Sequence, residues 1–148
     1  MAIAIGRPAP PVQGVDLDGP GVLVFFKVTC STTQLAAPAI GRLARAYDGH
    51  VVGIGQDPQA DLDRFAQDYD LSLPLVPDLD PYVASDAYDI VSAPTAVAIG
   101  ADTTVLDVAE SWDRDGWNRL SATVAEALGV DPVVVSDADD GLPAFKPG

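Results

Sequence analysis

The run Val22-Leu23-Val24-Phe25-Phe26 constrains this chain more than any other stretch, because an unbroken apolar segment rich in β-branched and aromatic residues makes a strand only where both of its faces are covered. Such a strand is central in its sheet. The polar residues Thr29-Cys30-Ser31-Thr32-Thr33 follow it, and then Leu35, Ala36, Ile40, Leu43, Ala44 and Tyr47 recur with the three- and four-residue spacing of one helical face. Cys30, the only cysteine of the chain, is therefore expected at or just before a helix N-terminus. There, unpaired N–H groups and the positive end of the helix dipole favour an anion, and the thiolate is the nucleophilic form of cysteine. Free cysteine is also among the most buried residue types, but the hydroxyl-bearing neighbours of Cys30 argue for an accessible thiol. Thr32 and Thr33 either donate hydrogen bonds to its sulfur or simply start the helix. Lys27 either supports the thiolate by charge or snorkels from the end of the strand.

The rest of the pattern is that of an α/β sheet. The prolines of Ile5-Gly6-Arg7-Pro8-Ala9-Pro10-Pro11 exclude helix, and Val12, Val15 and Leu17 suggest a short strand closed by the turn Asp18-Gly19-Pro20-Gly21. Val51-Val52-Gly53-Ile54-Gly55 is a second buried strand. Asp57 is placed to cap the helix after it, with Pro58 at the first helical position and Leu62, Phe65, Ala66 and Tyr69 on its inner face. Leu73–Pro77 is a short extended piece, and residues 81–88 hold a helical turn or two. Ala96-Val97-Ala98-Ile99 and Val105-Leu106-Asp107-Val108 form an antiparallel pair across Gly100-Ala101-Asp102. Trp117, Leu120, Val124, Ala127 and Leu128 mark a closing amphipathic helix stopped by Gly129. The domain is expected to span residues 1–129. Residues 130–148, polar and turn-rich apart from a short strand at Val133–Val135, are expected to be a loosely packed tail or one laid across the surface.

Three segments resemble the thioredoxin-like superfamily, in particular its redoxin and thiol-specific-antioxidant (peroxiredoxin-like) branch. A buried strand runs into Cys30 and a helix carrying Pro38, where this superfamily has a helix-kinking proline. The lead GRPAPPVQGVDLDGPG is similar to the opening of redoxin domains. Ser92-Ala93-Pro94-Thr95 resembles the loop that presents a cis-proline to the active-site cysteine. The resemblance implies a thioredoxin-like fold: a central mixed sheet flanked by helices on both faces, a redoxin-type βα insertion and a short N-terminal hairpin. It also implies a site of Cys30, Thr33 and Pro94, supported by Thr29, Ser31, Thr32, Lys27 and Ala93. Cys30-Ser31-Thr32-Thr33 departs from Cys-x-x-Cys, since Thr33 stands where the resolving cysteine would be. Lys27 stands where typical peroxiredoxins carry Thr or Ser.

With 148 residues and 48% hydrophobic content, the chain supports one core. A formal charge of −14 argues against nucleic acid and anionic membrane surfaces as partners. One cysteine makes no internal disulfide, and no apolar run reaches the ~20 residues of a membrane helix, so the cytoplasm is the expected location. His50, the only imidazole, opens a strand at the end opposite Cys30, which argues against a Cys-His pair and a histidine-based metal site. The pairs Asp16/Asp18 and Asp78/Asp80 and the group Asp137/Asp139/Asp140 lack a calcium-loop spacing and read as solvated turns, so no metal or cofactor is expected. Three functions remain open. One is thiol–disulfide exchange, in which an external thiol or a disulfide-bearing protein partner resolves a mixed disulfide on Cys30. The second is a one-cysteine peroxidase passing through a sulfenic acid. The third is a binding module that has lost turnover with the second cysteine.

Overall fold

A computed structural model describes residues 1–17 and 19–148, so the Asp18 end of the expected first turn lies outside the described residues. Strand β1 (Gly21–Phe26) is buried along its whole length. It is followed by α1 (Ser31–Ala46), β2 (Val51–Gly55), α2 (Gln59–Asp68), β3 (Leu75–Pro77) and α3 (Val83–Ala87). Then come β4 (Thr95–Ile99), β5 (Val105–Glu110), the short β6 (Trp112–Asp113), α4 (Arg114–Leu128) and β7 (Phe145–Lys146). The sheet runs β3-β2-β1-β4-β5, with β1 in the middle as its composition demands. β2 lies parallel to β1, with Val22 opposite Val51, and β4 antiparallel on the other side, with Phe25 opposite Thr95.

Alternation along β1 divides the interior. Val22 and Val24 join Ile40 and Leu43 of α1 and Trp117, Leu120 and Val124 of α4 on one face. Phe26, further along the same face, packs on Leu62 and Phe65 of α2. Leu23 and Phe25 turn the other way, against Ile3, Ala84 and Tyr88, so α3 and the first residues of the chain close the second face. Gly55 is needed where it stands, because a Cβ there would overlap the Leu62 side chain through which α2 packs. No helix among the described residues is long and apolar enough to cross a membrane.

Two expectations are corrected at the chain's ends. Residues 8–17 form no strand and no hairpin: Pro8 makes an isolated bridge to Thr104, and the Gly6 and Ala9 N–H groups donate to the Val105 and Thr103 carbonyls. The reason is a turn within the stretch: the Val15 N–H donates to the Val12 carbonyl at 3.1 Å across Gly14 at φ 83°, and the prolines before it have no N–H to give a ladder. The tail is firmly packed across the surface rather than loose. Gly129 ends α4 in the left-handed region, at φ 72°. Val135 and Ser136 are then buried against α4, where Asn118 accepts from the Val135 N–H at 2.9 Å and donates to the Ser136 carbonyl at 2.7 Å. With Tyr47 accepting from the Val133 N–H and Ser121 donating to the Val133 carbonyl, side chains take bonds that a strand at Val133–Val135 would need. Asp140 pairs with Arg42 at 3.1 Å and Arg114 at 3.5 Å, and the Trp112 indole donates to the Pro143 carbonyl at 2.7 Å. Beyond it, β7 pairs with β6, Lys146 opposite Trp112.

Candidate functional site

Chain direction places Cys30. β1 leaves the sheet at Phe26, a turn closes where the Cys30 N–H donates to the Lys27 carbonyl at 3.1 Å, and α1 begins at Ser31. Cys30 is the N-cap, with extended φ −76° and ψ 123°, so it sits at the end of the helix where the first N–H groups are free. The turn is anchored from both sides. The Val28 N–H donates to the Asp57 carboxylate at 2.9 Å, and the Gln34 amide donates to the Val28 carbonyl at 2.9 Å.

Asp57 therefore does not cap α2, whose N-cap is Pro58. It is a buried carboxylate spent on holding the loop that carries the thiol. Sequence reasoning missed this role because Asp before Pro at a helix start already has a sufficient local explanation. Asp78 departs from the solvated-turn reading too: it is buried and accepts from the Ala84 N–H at 3.1 Å and the Ser85 N–H at 2.8 Å, capping α3.

Around the sulfur, the resemblance-derived residues fall into different roles. The Ala93–Pro94 peptide is cis, and the Cys30 thiol donates to the Ala93 carbonyl at 3.4 Å, so the proline loop does face the cysteine. Thr95 secures that loop by donating to the Ser92 carbonyl at 2.8 Å. Partial burial pushes the Cys30 thiol up, and this is outweighed by the backbone N–H groups of Thr33 and Thr32 and by their hydroxyls, so its pKa lies below the ordinary thiol value. The two hydroxyls are not equivalent. Thr32 has one proton, and it goes to the Pro147 carbonyl at 2.6 Å. Thr33 is fully buried and its hydroxyl has no other partner among the described residues, so Thr33 is the side-chain donor left for a thiolate. Thr29 and Ser31 are exposed, and Ser31 accepts a hydrogen bond from Lys146 at 3.1 Å. Lys27 is exposed on the rim of the cleft that holds the thiol. His50 sits at the far end of the sheet, bonded to the Pro20 carbonyl at 3.0 Å.

The thiol opens into a cleft of about 250 Å³ with apolar walls from Phe25, Ile90 and Val91 and polar groups from Gln56, Ser85 and Ser92. Gly148 forms part of its edge. A roomier hollow of about 400 Å³ between Val12 and Val83 contains no nucleophile.

The fold that carries this site matches known structures. A secreted Mycobacterium tuberculosis disulfide oxidoreductase homologous to E. coli DsbE superposes with a TM-score of 0.60 at 25% identity, covering 74% of this chain and 83% of that one. The chain is thioredoxin-like. A thioredoxin-family thiol:disulfide interchange protein from Chlorobium tepidum gives a TM-score of 0.65 at 20% identity over 85% of this chain and 99% of that one. The thioredoxin domain of a thiol-disulfide oxidoreductase from Bacteroides vulgatus gives 0.67 at 18%, over 82% and 99%. No protein-family model and no curated protein sequence matches the chain.

A first prediction concerns the thiol itself. Alkylation of Cys30 by iodoacetamide is expected to show a pH midpoint below the ~8.5 of a free thiol, and Thr33→Val is expected to raise it by removing the one uncommitted hydroxyl. A midpoint equal to that of the urea-unfolded chain would mean that the helix start does not activate the sulfur.

Proposed function

We propose that this thioredoxin-like chain is a single-cysteine thiol–disulfide exchange protein. The observation that carries the reading is Cys30 at the N-cap of α1 with its thiol open to a cleft, where the Thr32 and Thr33 N–H groups and the otherwise unpartnered Thr33 hydroxyl lower its pKa. They favour the thiolate and leave it in an open cleft. The thiolate attacks one sulfur of a substrate disulfide. The substrate S–S bond breaks, a Cys30–S–S–R bond forms, and the other half leaves as a thiolate that takes a proton from water. Thr33 has no sulfur with which to attack this mixed disulfide. An external thiol therefore does so, forming a new disulfide with R and returning Cys30 to its thiolate form. The cytoplasm, with its pool of small thiols, is a compartment in which that resolution works.

Solved structures with the same fold include disulfide oxidoreductases and interchange proteins, which supports exchange over peroxide reduction. Lys27, in the place of the peroxiredoxin Thr or Ser, leans the same way. The test is intact mass after incubation with oxidised glutathione and, separately, with hydrogen peroxide. A stable glutathione adduct formed much faster than on the urea-unfolded chain is the expected result. Rapid gain of a single oxygen instead would favour the peroxidase. Reaction with neither faster than the unfolded chain would leave a binding module on a thioredoxin-like scaffold.

A further inference from the structure

Residues 146–148 contribute no chemistry to the reading above, yet three of their groups are bonded to the machinery around the thiol. Lys146 donates to the Ser31 hydroxyl at 3.1 Å, the Pro147 carbonyl accepts from Thr32 at 2.6 Å, and the Gly148 N–H donates to the Ser111 hydroxyl at 3.1 Å. Gly148 lies flat on the backbone of Ala93, whose carbonyl is the hydrogen-bond partner of the Cys30 thiol. A Cβ at 148 would overlap that carbonyl oxygen, so only glycine approaches this closely. The same residue edges the cleft of about 250 Å³.

The approach matters because exchange requires the attacked sulfur to meet the Cys30 sulfur in line with the bond that breaks. A disulfide within a polypeptide brings its flanking backbone with it, and the surface beside the thiol on which that backbone would rest is Ala93. Gly148 already covers it. A low-molecular-weight disulfide brings no such flanks, and the open side of the cleft, with Gln56, Ser85 and Ser92, has room and hydrogen-bonding groups for one amino-acid-sized half. The wall is fixed from behind. Pro143 is held by Trp112, the Leu142 carbonyl by Arg114, and Asp140 by both Arg42 and Arg114, so residues 146–148 extend from an anchored segment.

We propose that residues 146–148 set the substrate class of Cys30, forming a wall over Ala93 that admits low-molecular-weight disulfides and excludes disulfides embedded in polypeptide. This rests on the exchange reading. Opening the wall should change the relative rates for large and small partners, whatever it does to the thiolate fraction, because that fraction cancels in their ratio.

The experiment measures the rate of mixed-disulfide formation with insulin divided by the rate with cystine, whose halves are single amino acids. It compares the intact chain, a deletion of residues 146–148, and Gly148→Ala. Shape discrimination by a pocket is commonly worth about 10- to 200-fold, so the ratio is expected to rise about tenfold or more in both variants. A rise below about threefold in the folded variants, outside the range such discrimination covers, overturns the wall. Gly148→Ala decides the matter if the deletion does not fold, since it keeps every anchor of the tail. The rate of alkylation by a maleimide on a long polyethylene glycol, divided by the rate with N-ethylmaleimide, reads the same wall without a disulfide. A rise in that second ratio with neither a cysteine nor a glutathione adduct in any form would overturn the exchange reading and leave the wall standing. A flat ratio with rapid adduct formation would do the reverse.

Discussion

Replacement of Trp117 by alanine is expected to destabilise the folded chain by about 3–5 kcal/mol, measured as a shift in urea midpoint at unchanged slope. Trp117 is fully buried on the inner face of α4, in the cluster that joins α1, α4 and β1. Its ring packs on Trp112 at a centroid distance of 5.8 Å, and its indole N–H donates to the Ser111 carbonyl at 2.9 Å. The substitution leaves a cavity bounded by elements fixed elsewhere, so little collapse is available to refill it. It also leaves the Ser111 carbonyl without its donor. Leu120→Ala removes less volume from the same face and is expected to cost about 2–5 kcal/mol. A loss below about half a kcal/mol at either position would mean that this helix face is not part of the core. Cys30 is not a member of this cluster, so glutathione adduct formation in the folded fraction should persist.

The parts of the molecule that were legible in the sequence are those where one local signal has one structural solution. β1 is an uninterrupted apolar run and could be satisfied only in mid-sheet. Trp117, Leu120 and Val124 keep helical spacing and could face only one core. The placement of Cys30 follows from these two, because the residue between a central strand and an amphipathic helix is at the helix start. Pro94 was legible only through resemblance, since its sequence reads equally well as the start of a strand. Residues whose partners are remote in sequence were not legible. Asp57 serves Val28 and Asp140 serves Arg42 and Arg114, and the spacing of an acidic residue along the chain says nothing of such a partner. The tail illustrates the limit most fully. Its residues lack periodicity, as a surface loop would, but their backbone bonds are taken by side chains of α4 and α1 rather than by water.

Thr33→Cys is expected to convert a long-lived mixed disulfide into one that releases its adduct without an external thiol. The position is three residues after Cys30 across the first helical turn, where side chains of such pairs stand about 5–6 Å apart at Cβ, within adjustment range of a disulfide. In the native chain the Thr33 N–H and hydroxyl lower the pKa of the Cys30 thiol, so a sulfur carried there starts near its target. Its burial matters as well, because a fully enclosed thiol has little access to reagents in solution but can reach the sulfur beside it. Intramolecular reactions of well-placed groups correspond to effective concentrations far above the ~1 mM of a typical external thiol, so release should be accelerated at least about a hundredfold. The released product should be the oxidised chain, lighter by the two hydrogens of a disulfide. The attack step should slow modestly at the same time, since a thiol is a weaker donor to the Cys30 thiolate than the hydroxyl it replaces. An adduct on Thr33→Cys that persists as long as on the native chain would show that the first turn of α1 does not bring positions 30 and 33 into reacting geometry. Mass spectra taken over time after removal of excess oxidised glutathione distinguish the two outcomes.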